Sequence, residues 1–265
     1  MSPKAKISAL AISLAIAMPA AATTIITNAD GPHAFTGFDW AQGGTAFATG
    51  FAPTTGTNFS LTYFAYATNL VNGFLNISPL PGFDTVADGI STGYEYTIVA
   101  NLAEKVNGCV GTVCNFAVNS GTWTIYYDTT ADANASLGAL GTGFANGTPI
   151  MSGTINPLAS STFDISSGAN STTVTGQVTF TNGAFVAPPF TNTTATTTLQ
   201  LGNAITSWVN PGGFNGVAFT PNDNPIFQAD GNQSFTTTVP EPGTLALLGL
   251  GLGAFGWTLR RRGQV

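Results

Sequence analysis

The sequence predicts an all-β fold, an antiparallel β-sandwich for which a jelly roll is one candidate arrangement. Its composition supports this in two ways. Hydrophobic residues make up 43% of the 265 residues and 19 are Phe, so the chain can bury a core although only 7% of its residues are charged. The 32 Gly residues indicate frequent turns, and the abundant Thr suits strands better than helices.

Apolar and hydroxyl side chains alternate in several segments of the central part of the chain. Such alternation places apolar side chains on one face and Thr or Ser on the other, as in a strand of an antiparallel sheet. About ten strands are expected on this basis, and the clearest segments are residues 59–66, 94–99, 122–127, 172–180 and 217–219. The turn dipeptides between segments include Asn72-Gly73, Asn107-Gly108, Asn146-Gly147 and Gly212-Gly213.

Two segments are less typical of strands. Residues 191–201 are rich in Thr, which fits a glycosylated linker, but their alternation fits an edge strand equally well. We therefore keep this segment within a single domain of residues 23–238. One or two short helical turns are expected near Asp132 to Leu140, and no other helix within the domain.

The first 22 residues are typical of a secretory signal peptide that forms a short helix. Two Lys residues supply a positive start, an apolar stretch follows, and Ala20 and Ala22 form an A-x-A cleavage site. The mature chain is then expected to begin at Thr23. The alternative is an N-terminal membrane anchor, but the apolar stretch is shorter than the roughly 20 residues that span a bilayer.

Residues 239–265 contain three consecutive features. They are the motif Val239-Pro240-Glu241-Pro242, the uncharged run from Gly243 to Leu259, and the basic cluster Arg260-Arg261-Arg262. The seventeen residues of the run reach the lower limit for a transmembrane helix. The arginines orient such a helix, because positive residues stay in the cytoplasm and the body of the protein is then exported. The prolines keep the motif extended and accessible to a protease.

This tail resembles the PEP-CTERM sorting signal, in which a Pro-Glu-Pro motif, a transmembrane helix and a basic end are recognised by an exosortase. The resemblance implies a bacterial protein that is anchored in the inner membrane until the exosortase cuts near the motif, and that is then released or re-anchored. Proteins with this tail are typically encoded alongside exopolysaccharide production. A simple membrane anchor would share the helix and the arginines but gives no reason for the proline motif.

The distribution of charge excludes one class of partner. Between residues 23 and 239 the chain has eleven acidic residues, whereas Lys105 is the only basic residue there. Affinity for nucleic acid depends on Lys and Arg side chains that displace counterions from phosphates. Nucleic acid is therefore excluded as a partner.

The chain has two cysteines, Cys109 and Cys114, which lie close together after the predicted strand at residues 94–99. In an exported protein such a pair is expected to form a disulfide that pins the loop of a hairpin. A zinc site is the alternative, but two thiols without a nearby His do not complete one.

Most catalytic motifs are absent from the sequence. His33 is the only histidine, and no G-x-S-x-G, H-E-x-x-H or Gly-Lys-Ser/Thr motif occurs, so serine triads, zinc proteases and P-loop enzymes are excluded. A carboxylate-dependent glycoside hydrolase or lyase survives as an alternative, with Glu95 and Glu104 as the only glutamates of the domain. Glu95 could face a cleft, although an outward position is commoner. We expect a protein that is not an enzyme.

A calcium site is a weaker candidate. Asp128, Asp132 and Asn134 place three oxygen ligands in one turn, but their spacing is not that of the D-x-[DN]-x-[DN]-G loop. Side chains that cap the turn are the favoured interpretation. No cofactor is therefore expected.

Aromatic side chains are the candidates for contact with a polysaccharide. Trp40, Trp123 and Trp208, with six Tyr, could stack on sugar rings, while Asn and Thr supply hydrogen-bonding partners. Most of these rings are nevertheless expected in the core, since a sandwich needs large inward side chains.

Three segments resemble the flocculation-associated PEP-CTERM protein family: residues 123–134, residues 227–235 and Phe38-Asp39-Trp40. The resemblance implies an extracellular protein that associates with exopolysaccharide and supports flocs or biofilms, and it implies no catalytic residues. The expected function is therefore that of a secreted matrix protein. The alternatives are the glycosidase described above and a passive surface coat without affinity for sugars.

Overall fold

A computed structural model of the protein describes residues 23–90, 92–166, 170–190, 193–201 and 208–237. These residues form sixteen β-strands and no helix. In chain order the strands are β1 (Ile25–Asn28), β2 (Gly31–Ala34), β3 (Gly37–Trp40), β4 (Gly44–Thr49), β5 (Asn58–Asn72), β6 (Leu75–Asn76), β7 (Glu95–Val110), β8 (Val113–Asp128), β9 (Thr148–Ile155), β10 (Leu158–Asp164), β11 (Asn170–Thr181), β12 (Val186–Ala187), β13 (Thr193–Leu201), β14 (Gly213–Phe214), β15 (Val217–Ala218) and β16 (Asp223–Thr237).

Eleven of these strands form one antiparallel sheet. Its main path runs β10-β8-β7-β5-β3-β16-β13-β11-β9, while β4 pairs with both β5 and β16 and β6 pairs with β5. The path closes on itself because β9 also pairs with β8. Two smaller sheets, β12-β1-β2 and β14-β15, complete the described strands. The predicted all-β, sandwich-like fold is confirmed, and its facing layers belong to one continuous sheet.

The core lies between these layers and is rich in aromatic rings. Strand β8 shows how the sequence builds it, because alternate residues Trp123, Ile125 and Tyr127 are buried and their neighbours are more exposed. Phe38 stacks on Trp40 with ring centroids 4.9 Å apart. Burial of such large side chains contributes about 1.5 to 3 kcal/mol each to the free energy of unfolding.

A second, smaller apolar cluster covers the face of the sheet opposite the core. Phe64 of β5 lies directly across from Val99 of β7, and both pack with Phe144 and Ala133 of the segment between β8 and β9. Residues 95–100 are therefore buried on both faces of the sheet. The expectation of one buried and one hydroxyl-rich face is wrong for this part of β7, because the covering loop adds a second apolar layer.

Two expected local features differ in the structure. Asn107-Gly108 is not a turn but lies within β7 at a register shift against β8, and the chain turns at Gly111, where φ is 63°. The segment expected to contain a helical turn, residues 132–140, consists of non-helical turns. Gly138, with a φ of 77°, is incompatible with a continuing helix there.

The Thr-rich segment is an interior strand. Strand β13 pairs with β11 on one side and with β16 on the other. Both the linker and the edge-strand interpretations are therefore wrong. Its Thr side chains suit a pleated sheet that is paired on both sides.

The two ends of the chain lie outside the described residues. They include the predicted signal peptide, residues 1–22, and the predicted sorting tail, residues 239–265. Residues Thr23–Thr238 form one compact unit. None of the described residues belongs to a helix of the length and hydrophobicity that crossing a bilayer requires.

Candidate functional site

A cleft of about 670 Å³ opens on the face of the sheet opposite the core. Its floor is formed by strands β3, β5 and β16, and its rim by residues 86–88, 135–136 and 208–209. The cleft therefore lies where the covering loops meet the sheet. It brings together residues that are up to about 190 positions apart in the chain.

Two aspartates lie on the floor of this cleft. Asp39 of β3 is directly opposite Asn232 of β16, and Asp230 is two residues before Asn232 on the same face. Diagonal neighbours of this kind lie about 7 to 8 Å apart, with their Cβ atoms somewhat closer. Burial and the negative charge of Asp39 raise the pKa of Asp230. Asn69 donates to Asp39 through Nδ2, at 3.3 Å from Oδ2.

Two half-buried aromatic rings line the same cleft. Trp208 donates a hydrogen bond from its indole Nε1 to Thr45 Oγ1 at 3.3 Å, which fixes the ring at the rim. Tyr66 lies on β5, and burial and the charge of Asp84 raise the pKa of its phenol. Both rings present apolar surface beside the aspartates, and the cleft combines stacking surface with oxygen acceptors.

The rim is attached to the sheet through Glu95, the first residue of β7. Its Oε1 accepts hydrogen bonds from the backbone N–H groups of Asp132 and Ala133, each at 2.9 Å. Two residues further along, the backbone N–H of Ala135 donates to the carbonyl of Ala87 at 2.9 Å. This bond joins the two loop segments that form one wall of the cleft. Glu95 is therefore a positioning residue for the wall.

The expected outward position of Glu95 is wrong, since only 1% of its surface is exposed. Burial raises the pKa of Glu95 to about 7, and the charges of Asp132 and Asp128 act in the same direction, while the two backbone hydrogen bonds oppose the shift. Glu95 does not line the cleft, so it is not in position to act on a ligand there.

Glu104 is buried further along β7, with 3% of its surface exposed. It lines a small apolar pocket with Phe59, Phe116 and Phe163, and burial raises its pKa to about 8. It is nine positions further along the strand than Glu95, a distance of about 30 Å. The two glutamates therefore cannot form a catalytic pair with each other.

The three oxygen ligands considered for calcium have separate roles. Asp128 Oδ1 accepts from the N–H of Thr130, and Asn134 Oδ1 accepts from the N–H of Ser136, both as caps of their own turns. The carboxylate of Asp132 accepts from the side-chain amide of Asn146. Within the part of the chain that the structure describes, no group of three or more His, Cys, Asp or Glu could hold a metal ion.

The predicted disulfide is present in the structure. Cys109 and Cys114 are register partners at the end of the β7–β8 hairpin, with Cα atoms 4.0 Å apart. The bond closes the hairpin around Gly111, as expected for a pinned loop.

The aromatic candidates divide between the core and the cleft. Trp123 is a core residue, and Trp40 is only 1% exposed although it borders the cleft. Trp208 is the one Trp of the three with ring surface available in the cleft. The sequence indicated Trp208 as a candidate for ligand contact but did not indicate Asp39 or Asp230. Their presence inside strands could have indicated them, because Asp is depleted in strands.

The remaining predicted site residues, the signal cleavage positions Ala20 and Ala22 and those of the sorting tail, lie outside the described residues. In a comparison with known protein families, residues 238–262 match the family model of the PEP-CTERM protein-sorting motif. Neither a curated protein nor a solved structure matches the chain. The motif indicates secretion or cell-surface localisation after processing by an exosortase. The end of the chain is therefore identified as a PEP-CTERM protein-sorting motif.

Proposed function

We propose that the folded domain is a non-enzymatic component of the extracellular matrix that binds exopolysaccharide through the cleft and supports floc or biofilm formation. The single observation that carries the proposal is the cleft itself, in which Trp208 and Tyr66 lie beside Asp39 and Asp230. Aromatic rings stack on the C–H faces of sugars, and carboxylates accept hydrogen bonds from sugar hydroxyls. The sorting motif supports it by bringing the domain outside the cell.

The charge of the cleft narrows the class of polymer. Asp39, Asp88 and Asp230 line the cleft, and no Lys or Arg lines it among the residues that the structure describes. Uronic-acid or sulfated polymers would be repelled by these carboxylates. A neutral polysaccharide, or one that carries free amino groups, fits the cleft better.

Retention of the purified protein on the producer's exopolysaccharide tests the proposal. Trp208→Ala removes a stacking ring, and we expect the affinity to fall about tenfold, which corresponds to the loss of one aromatic contact. Phe180→Ala is the matched control, because Phe180 is also a partly exposed ring but does not line the cleft. Equal retention of the two variants would show that the cleft does not bind the polymer.

A passive surface coat gives a different result in the same assay, because it predicts no retention of the unsubstituted protein. The role in flocculation is tested separately. A deletion strain that is complemented with the Trp208→Ala chain should flocculate less than one complemented with the Phe180→Ala chain. Full flocculation with both chains would show that flocculation does not depend on the cleft.

A glycosidase is the second candidate, and the floor of the cleft favours it. Asp39 and Asp230 have the diagonal spacing described above, and burial raises the pKa of Asp230 as a general acid requires. Asp230→Asn separates the candidates. If the protein is an enzyme, the unsubstituted protein releases reducing ends from the polymer, and the variant should still bind the polymer but release none. If it is a binding protein, neither the unsubstituted protein nor the variant releases reducing ends.

A further inference from the structure

An uncharged hairpin exposes two large apolar side chains at one end of the sheet. Phe74 is fully exposed and Leu75 is 75% exposed at the turn that joins β5 to β6. The chain has no charged residue between Asp39 and Asp84, so nothing near the turn in sequence opposes contact with an apolar medium. We define Phe74 and Leu75 as the apolar tip.

Strand pairing and backbone hydrogen bonds fix the conformation of the turn that carries the tip. Asn72 and Leu75 are register partners across the turn, and Gly73 has the positive φ of 64° that the turn requires. The backbone N–H of Gly73 donates to Thr36 Oγ1 at 2.7 Å. The backbone N–H of Ile77 donates to the carbonyl of Leu70 at 2.8 Å. The apolar side chains are therefore presented by a paired turn that needs no further ordering on binding.

The register places this tip level with the last described residue of β16. Gly37 of β3 pairs with Val71 of β5 on one side and with Ser234 of β16 on the other. Strands β5 and β16 run in the same direction, so Phe74 and Thr237, each three residues further on, lie at the same level along the strand direction. They are separated by two interstrand spacings, or about 10 Å.

The chain beyond Thr237 leads directly to the sorting tail. Five residues lie between Thr237 and Gly243, the first residue of the apolar run that the sequence predicts to span the membrane. The six steps from Thr237 to Gly243 extend over at most about 20 Å. A bilayer that holds this run is therefore within reach of the end of the sheet that carries the tip.

We propose that the apolar tip, Phe74 and Leu75, inserts into the surface of the lipid bilayer in which the sorting tail is anchored, so that the domain stands on the membrane with this end of its sheet down. Aromatic and aliphatic side chains at the end of a hairpin bind the boundary between headgroups and acyl chains by burying apolar area. The tip adds a second membrane contact to the tail and fixes the orientation of the domain while the exosortase processes the motif. This inference rests on the sorting tail and is independent of polysaccharide binding.

The opposite end of the sheet offers a matched control. Val110 is 86% exposed beside the disulfide at the β7–β8 turn. Its side chain is about as accessible as those of the tip. Val110 is thirteen positions further along β7 than Thr97, and Thr97 pairs with Tyr66 in the part of β5 that leads to the tip. A membrane that the tip contacts should not reach Val110.

The test uses the full-length chain reconstituted in phosphatidylcholine vesicles, with or without dibrominated acyl chains that quench Trp fluorescence on contact. Phe74→Trp and Val110→Trp each add one indole to the four that the chain contains, and the emission of the unsubstituted chain is subtracted. We expect bromine to reduce the emission added at position 74 about twofold or more, as for an indole among acyl chains. The emission added at position 110 should not change.

Two results would overturn the inference. The first is an added emission at position 74 that bromine does not quench; if that emission is also blue-shifted, the tip is covered by a second copy or another protein rather than by lipid. The second is equal quenching at both positions, which would mean that the domain lies on the membrane without a preferred end. Either result leaves the retention of the protein on polysaccharide unaffected, so a failure here is distinguishable from a failure of the proposed function.

Discussion

Strand β7 buries one glutamate at its first position and another nine residues further on, and the two side chains have different surroundings. Glu95 accepts two backbone hydrogen bonds from the covering loop. Glu104 lies among phenylalanine rings and has no hydrogen-bonding partner among the residues that the structure describes. The same residue type on one strand therefore positions the wall of the cleft at the start of the strand and leaves a carboxyl group unpaired further along it.

The difference shows what a buried carboxyl group contributes in each case. At Glu95 the cost of burial is partly offset by acceptance of two N–H groups that would otherwise be unsatisfied, although burial still raises its pKa to about 7. At Glu104 nothing on the described residues offsets the cost, and the group avoids charge by holding its proton, as its pKa of about 8 indicates. Glu95 is thus expected to stabilise the fold, and Glu104 to destabilise it at neutral pH.

Replacement of Glu104 should have the largest effect on stability. Its pKa rises from an ordinary 4.5 to about 8 in the folded protein, so the folded protein keeps a proton that the unfolded chain loses over this range. The free energy of unfolding therefore falls as the pH rises from about 4.5 to about 8, by about 4 to 5 kcal/mol. Glu104→Met removes this loss and should be more stable than the unsubstituted protein at the upper end of the range. Below about pH 4.5 the carboxyl is protonated in both states and the loss is absent.

Urea unfolding of the exported protein near pH 4 and near pH 8 measures this effect. Glu95→Gln is the matched variant on the same strand. The pKa of Glu95 is about 7, so this variant should remove only the contribution of Glu95, which lies between about pH 4.5 and pH 7, and should leave the contribution of Glu104. Parallel pH profiles for Glu104→Met and the unsubstituted protein would show that Glu104 is not buried as a neutral acid.

The sequence predicted the positions of the strands better than it predicted the burial and the hydrogen bonding of Glu95 and Glu104. Period-2 alternation located β5, β7, β8 and β11, because half-buried strands have this pattern. It could not show that residues 95–100 are buried on both faces, since the covering loop comes from residues 131–145, which carry no such pattern. The cleft was missed for the same reason. Asp39 and Asp230 come together only through the register of β3 with β16, which no local pattern specifies.

Removal of the hydrogen-bonding acceptor at Glu95 should have the second largest effect. Glu95→Ala leaves the N–H groups of Asp132 and Ala133 buried without an acceptor, at about 1 to 2 kcal/mol each. We expect the free energy of unfolding to fall by about 2 to 4 kcal/mol and the affinity for polysaccharide to fall with it, because the wall of the cleft loses its attachment. Glu95→Gln retains an acceptor oxygen and should keep most of both. If Glu95→Ala binds the polymer normally, Glu95 does not position the wall.

Removal of the disulfide at the end of β7 that joins β8 should have the smallest of the three effects on the free energy of unfolding. Cys109 and Cys114 close a loop of only six residues, for which the loss of chain entropy in the unfolded state corresponds to about 2 kcal/mol. Replacement of both by Ser should lower the free energy of unfolding by about that amount, without altering the pH dependence that Glu104 causes.

The effect of this replacement should also be confined to one end of β7. The hairpin then opens more often, so amide hydrogen exchange should accelerate near residues 106–116 and stay unchanged at Asp132 and Ala133, which are held by Glu95. Faster exchange at both places would mean that the two ends of the strand unfold as one unit. In that case the free energies assigned to Glu95 and Glu104 would not be independent, and only a variant that combines Glu95→Gln with Glu104→Met would measure how strongly the two residues are coupled.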